Sequence, residues 1–244
     1  MARELSRMTA RSVLLSVLLG AHPAWATASE LQRLAGNFGI REATVRVALT
    51  RLVSAGDLVR SADGYRLSDR LLARQRRQDA AIYPSVLPWD GTWTALVITR
   101  VGTDARTRSV LRNTLLDSRF GELREGFWLR PDNLEIRLPD DITDRVRILH
   151  ARDDRPGELA ARLWDLPAWA RTGTGLLDDM AAAGDTTARF VVAAAIVRHL
   201  LTDPVLPAEL LPASWPGNTL RDSYARFADE LAAQRDISQL VEAT

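Results

Sequence analysis

Residues 33–68 read RLAGNFGIREATVRVALTRLVSAGDLVRSADGYRLS. Val45, Ala48, Leu49 and Leu52 stand at i, i+3, i+4 and i+7, the spacing of one buried stripe on an α-helix. The spacing predicts a helix over about 41–55, ended by Gly56. Gly36 ends another helix just before it, and a short turn joins the two. After it, LVRSADGYRLS alternates apolar and polar residues around Asp63-Gly64, a hairpin signal. The stripe leaves Arg41, Thr44, Arg46 and Arg51 on the other faces of the helix.

Toward the N-terminus, Thr9 can cap a helix running to about Gly20, with Val13, Leu14, Val17 and Leu18 on one stripe. Thr27 or Ser29 starts a second helix carrying Leu31, Leu34 and Ala35. Three periodic helices, a tight turn and a ribbon make a winged helix-turn-helix. A recognition helix enters the major groove with its first turns against base edges, and Arg41, Glu42 and Thr44 occupy that end here. Arg offers guanine O6 and N7 two hydrogen bonds, while Thr bonds phosphate or touches a thymine methyl. Arg60 and Arg66 flank the ribbon's tip, where sugar-phosphate contacts add affinity without reading sequence. The expected DNA contacts are therefore Arg41, Thr44, Arg46, Arg51, Arg60 and Arg66, and the expected partner is a double-stranded operator. A protein-docking or assembly module on the same fold is the alternative. Charge argues against it: residues 1–77 hold 13 Arg against 6 acidic residues, net +7, and the remainder carries −6.

The 244 residues allow one large domain or two or three small ones. Hydrophobic residues at 46% and charged residues at 26% place the chain among globular proteins. With no Cys, disulfides, thiolate zinc sites and a Cys nucleophile are excluded. All 32 basic residues are Arg, whose planar fork binds two phosphate oxygens at once. Residues 11–26, RSVLLSVLLGAHPAWA, imitate a secretory signal with a small-x-small ending. Several features oppose that: the apolar run is short and broken by Ser16, Glu4 lies in the flank that should be basic, and cleavage after Ala26 removes the first helix. The expected location is cytoplasmic, and no stretch approaches the ~20 apolar residues of a membrane span.

Beyond the ribbon, LLARQRRQDAAIY predicts a connecting helix, and Pro84 and Pro88 mark a linker. GTWTALVITR predicts a strand, residues 104–118 a helix, GELREGFWLRP one strand and VRILHAR a third. From about Pro156 the chain reads as helices, broken by Pro167, TDPVLPAELLP and WPG. The expected fold is α+β and multi-domain. Residues 1–70 form the winged helix-turn-helix, 71–88 a connecting helix and linker, 89–155 a small α/β domain, and 156–244 a helical C-terminal domain.

WDGTWTALVI followed by TRSVLRNTLLDSRFGELREGFWLRP resembles the central region of PaaX-type transcriptional repressors. The pattern falls on Trp89, Gly91 and Trp93, then Arg108, Leu111, Arg112 and Leu115, then Phe120, Gly121, Leu123, Gly126, Trp128 and Pro131. HLLTDPVLPAELLPASWPGNTLRDSYARF is similar to the family's ending, with Asp203-Pro204, Leu206-Pro207, Leu210-Leu211-Pro212, Trp215 and Gly217. The resemblance implies a dimeric repressor of genes for aromatic breakdown, released from DNA by an acyl-CoA, typically phenylacetyl-CoA. It also implies a ferredoxin-like, Cas2-like central domain and a helical C-terminal part. The segment after Trp93, TALVITRVGTDAR, lacks the proline often seen there.

A CoA ester needs cations for its phosphates and an apolar cleft for its acyl group. Arg108 and Arg112 share a helix face at i, i+4, and Trp93 and Trp128 lie on neighbouring predicted strands. These four, with His199 before the Asp-Pro motif, are the expected effector-binding residues. The opposing possibility is that the Trp residues are core, the Arg residues pair with Asp104, Glu122 or Glu125, and His199 is structural. His22, His150 and His199 are far apart, and no phosphate loop, metal-ligand spacing or nucleophile elbow is present. No catalytic residue, metal or cofactor is expected beyond the acyl-CoA effector. Asp140-Asp141 and Asp153-Asp154 leave a Cas2-like nuclease as a remote alternative, although both pairs read as loop charge.

Overall fold

Thr9, Thr27 and the apolar stripes act locally as their spacing predicts. A computed structural model describes residues 9–100 and 104–242, with side chains through 233. The centre of the segment lacking the proline, 101–103, lies outside the described residues. The chain forms two compact units: 1–82 with 176–198 and 219–244, and 83–175 with 199–218.

In the first unit, α1 (Ala10–Leu19) starts at Thr9, whose hydroxyl accepts from Ser12 N at 3.2 Å. The run that imitates a signal sequence is core: Val13, Leu14, Val17, Leu18 and Leu19 are buried. After β1 (Trp25–Ala26), α2 (Ala28–Gly36) opens with a capping box between Thr27 and Glu30. A five-residue turn leads to α3 (Glu42–Ser54), which buries Val45, Leu49 and Leu52 against α1 and α2. The hairpin forms as β2 (Leu58–Arg60) and β3 (Tyr65–Leu67), and β1 pairs on the other side of β3. A two-residue strand has no alternation to read, so the sequence predicts only the hairpin. Gly64 is required by this third strand, because a Cβ there would collide with the Ala26 carbonyl.

Two buried polar groups fix α4 (Asp69–Ile82) to this unit. Gln75 donates to Leu19 O at 3.0 Å and Ala21 O at 2.9 Å, satisfying carbonyls that the end of α1 leaves open. Asp57 is buried beyond the end of α3, with Arg11 of α1 at 2.6 Å and Arg70 of α4 also paired to it. The later helices add Phe190, which meets Phe38 edge-on at 4.9 Å between ring centres, and Phe227 at 6.2 Å. Thr187 reinforces that seam by donating to Asn37 O at 3.0 Å.

The second unit is built on β4 (Trp93–Ile98), α5 (Ala105–Asp117), β5 (Gly121–Arg124), β6 (Phe127–Pro131), α6 (Asp140–Thr143) and β7 (Val146–Ala151). The sheet is antiparallel with order β5-β6-β4-β7, the β-α-β-β-α-β arrangement of a ferredoxin-like domain. GELREGFWLRP is thus two strands rather than the single one expected. Gly126, at φ +76°, makes a tight reversal between them that alternation alone does not reveal.

Each sheet face has its own core. Trp93, Ala95 and Leu129 pack with Ala160, Leu166, Leu206 and Leu210 on one side. Leu96 and Trp128 pack with Leu111, Leu115, Phe120 and Ile142 on the other. The remaining helices are α7 (Pro156–Leu163), α8 (Leu166–Ala182), α9 (Thr186–Leu200) and α10 (Gly217–Glu242), with a 3₁₀ turn at Ala208–Leu210. Pro167 does not break a helix but sits in the first turn of α8, where its missing N–H costs nothing. Residues 156–244, read as one helical stretch, divide between the two units.

A buried polar chain holds the TDPVLP loop to the sheet. Arg130 donates to Asn133 Oδ1 at 2.8 Å, and Asn133 Nδ2 donates to Val205 O at 2.9 Å. Asp203 accepts from Val205 N at 2.8 Å, and Arg119 donates to the Asp203 carbonyl. Burial pushes the Arg130 guanidinium down to about 9, with Arg119 nearby adding to the effect. Asn133→Ala leaves a buried guanidinium and a buried carbonyl short of partners. It is expected to cost about 2–4 kcal/mol, measurable as a fall in denaturant midpoint with an unchanged m-value.

Candidate nucleic-acid interface

The outward side of α3 follows from its inward one. With Val45, Leu49 and Leu52 buried, Thr44, Arg46, Thr50 and Arg51 are exposed, and Arg41 is the exposed N-cap residue. The Arg41 side chain makes no cap hydrogen bond. Arg46 lies 3.6 Å from Glu42 one turn earlier, and both are more than half exposed, so the pair is weak and solvated. Thr50 donates back to Arg46 O at 3.0 Å. The four expected helix residues are therefore all exposed, with Arg46 and Arg51 on either flank of the outer surface of α3.

The middle of that surface is Val47, which the sequence expectation omits. It is 51% exposed and stands opposite the midpoint of the buried stripe. The 3.6-residue period that marks the stripe also marks Val47, although an apolar side chain at that position gives no charge signal. A methyl-bearing side chain there is suited to contact a thymine methyl.

On the three-stranded sheet, Arg60 pairs in register with Tyr65, whereas Arg66 pairs with Val59 and Trp25. Residues directly across a ladder share a face, so Arg60 and Arg66 lie on opposite faces. Both are exposed. A phosphate row meeting the edge of the wing reaches both, whereas docking by one face meets only one.

Of the expected effector residues, only Arg112 and Trp128 come together. Trp93 and Trp128, each 1% exposed, belong to the two opposite cores of the sheet. Strand alternation places an odd residue of β4 and an even residue of β6 on different sides. Arg112 pairs with Glu122 and lies over the Trp128 ring, 5.3 Å from its centre. Arg108 is exposed on α5, and Asp104 caps that helix by accepting from Thr107 N at 2.8 Å. His199 stacks on Trp169 at 4.1 Å, and Trp169 stacks on Trp215 at 4.2 Å. Its Nε2 lies 3.0 Å from Trp169 O, and burial holds its pKa below the usual histidine value. Asp140 and Asp141 form the first turn of α6, and Asp153 accepts from Arg155 N at 2.8 Å. Among the described residues no three His, Asp or Glu side chains are placed to hold a metal ion.

Comparison with known proteins matches the chain in three stretches. The family model described as PaaX-like protein matches residues 9–71, which include α3 and the three-stranded sheet. The PaaX protein central Cas2-like domain matches 87–161, and the PaaX-like protein C-terminal domain matches 169–237. The chain belongs to the PaaX family. It is 29% identical over 223 residues to the transcriptional repressor PaaX of Escherichia coli, covering 78% of this chain and 69% of that protein. It is also similar to a solved structure, the uncharacterized protein Rv0674 of Mycobacterium tuberculosis. There the TM-score is 0.86 and the identity 65%, over 95% of this chain and 99% of that one.

The residues that carry the PaaX signature are largely architectural in this chain. Trp93, Leu111, Leu115, Phe120 and Trp128 are core, and Trp89 Nε1 donates to Thr92 O at 2.6 Å. Asp203 holds the PaaX-type C-terminal loop in shape, as described above. Among the described residues no helix is long and apolar enough to cross a membrane.

The lowered pKa of His199 predicts that stability depends on pH. Because its folded pKa is lowered, its contribution to stability is present above the unfolded value near 6.5 and is lost as pH falls through the folded pKa. His199→Phe keeps an aromatic ring against Trp169 and removes the titration. Its melting temperature is expected to fall less steeply than wild type between about pH 7 and 5, by calorimetry.

Proposed function

We propose that this chain is a transcriptional repressor that binds double-stranded DNA as a homodimer and leaves it when an acyl-CoA binds. The observation that carries the DNA part is α3, which buries Val45, Leu49 and Leu52 and leaves Arg41, Thr44, Arg46, Val47 and Arg51 exposed. In this reading α1–α3 and the three-stranded sheet are a winged helix-turn-helix. The amino-terminal half of α3 enters the major groove while Arg60 and Arg66 touch sugar-phosphate beside it. Arg46 supplies forked donors to a guanine edge or to two phosphate oxygens, and its weak pairing with Glu42 leaves it free to do so.

A two-fold dimer presents two such helices and selects a palindromic site with half-sites one helical turn apart, roughly 34–36 Å. Support also comes from the net +7 of residues 1–77 and from the name of the Escherichia coli relative. The acyl-CoA effector, with phenylacetyl-CoA as the first compound to test, follows from the family resemblance. A ligand releases DNA only to the extent that it binds the DNA-incompetent state more tightly.

Fluorescence anisotropy with DNA from upstream of the chain's own gene tests this. Wild type should bind a discrete site, with affinity falling by orders of magnitude from low to moderate salt as phosphate counterions are released. Salt-independent association with no discrete site would overturn the DNA reading. Arg46→Ala should weaken operator binding about tenfold or more, equivalent to ~1.4 kcal/mol, with an unchanged melting temperature. Val47→Asp should reduce binding to the non-specific level, because it sets a carboxylate against the groove. Wild-type affinity in both variants would mean that α3 faces elsewhere.

A further inference from the structure

Within the first unit, a cavity of about 490 Å³ opens between the end of α1 with the turn after it, α4, α9 and α10. Its size falls in the range of small-molecule sites. Trp25, Phe190, Tyr224 and Phe227 supply aromatic wall, and Val17, Ala194 and Val197 supply aliphatic wall. Two arginines line it, Arg74 from α4 and Arg198 from α9, and both are exposed at the rim. No Asp or Glu lines it, and among the described residues neither arginine has a carboxylate partner. The other titratable lining group of basic type, His22, is already held by Asp79 at 3.2 Å. An apolar interior below an uncompensated cationic rim suits one kind of ligand, an amphipathic anion with a ring-sized apolar body.

We infer that this cavity is the effector site, that it takes such an anion, and that it acts on DNA binding through α1 and β1. Two contacts make the connection inside a single compact unit. Val17 lines the cavity and belongs to the same buried cluster as Val45 and Leu49, the inner stripe of α3. Trp25 lines the cavity from β1 and pairs in register with Arg66 on β3. A body wedged beneath α1 and Trp25 therefore bears on the seats of both proposed DNA-contacting elements. The aromatic or acyl portion occupies the interior, and the phosphate or carboxylate meets Arg74 and Arg198. The two tryptophans expected to bind the effector are closed within the sheet cores and are not needed. The effect on DNA rests on the repressor reading above, whereas ligand binding itself does not.

Two measurements separate these. Anilinonaphthalene sulfonate, an aryl anion, reports on the cavity without DNA. Wild type should enhance its fluorescence. Ala194→Trp, which fills the cavity, and Arg198→Glu, a surface change that leaves packing untouched, should each weaken binding tenfold or more. If Ala194→Trp does not fold, Arg198→Glu and Arg74→Glu decide. Binding that is absent in wild type or equal in all folded variants overturns the site. The second measurement is release of operator DNA by phenylacetyl-CoA and by phenylacetate, compared to distinguish a phosphate-bearing thioester from a free carboxylate. Arg198→Glu should bind DNA like wild type and need at least tenfold more of the active compound for release. Release that survives unchanged in the variants overturns the coupling. Dye binding that follows the variants, with no release by either compound, sustains the site and sinks the effector reading of the repressor.

Discussion

The seating of Val45, Leu49 and Leu52 against α1 is the constraint on which the proposed function depends. These three aliphatic side chains leave α3 one rotational setting in which they are dry. A helix turned by about 100°, one residue's worth, would expose two of them at roughly 1.5–3 kcal/mol each. The direction of Arg41, Thr44, Arg46 and Arg51 is thus a consequence of burial on the far side rather than of any contact they make. Val47 is placed by the same force, which explains an exposed valine at the centre of an otherwise polar face.

That setting is useful only if α1 is itself held, and polar groups do this. Gln75 closes the carbonyl end of α1, while Asp57 meets arginines from α1 and α4 just beyond the end of α3. Each is a buried group with a defined partner geometry that ties α1, the end of α3 and α4 to one another. The proposed effector cavity sits against the same α1. A switch of the proposed kind needs no long pathway, because the cavity wall and the inner stripe of α3 share one cluster of side chains.

In the second unit the controlling fact is that the sheet carries a core on each of its faces. Tryptophans on paired strands end on opposite faces: Trp93 serves the core with Leu206 and Leu210, and Trp128 the core with Leu111 and Leu115. The family signature is dense here because two cores and one buried polar chain must be satisfied at once. Arg130 illustrates the cost of such a design: burial disfavours its charge, and Asn133 compensates with an acceptor while tying down Val205.

Local patterns carried most of the first unit. The caps at Thr9 and Thr27, the stripes of α1–α3 and the Asp63-Gly64 turn each act within a few residues, so spacing specified the helices, the hairpin and which arginines face outward. It also specified the basic bias of residues 1–77. What it left open depends on partners distant in the chain. Pairing with β3 makes a strand of Trp25–Ala26, and the two-sided burial of β6 separates Trp93 from Trp128. Placement of Phe190 and Phe227 beside Val17 creates the cavity. A side chain's preference for burial is written in its own chemistry, but the surface that buries it is chosen by every other segment that competes for the same space, and only tertiary packing settles that competition.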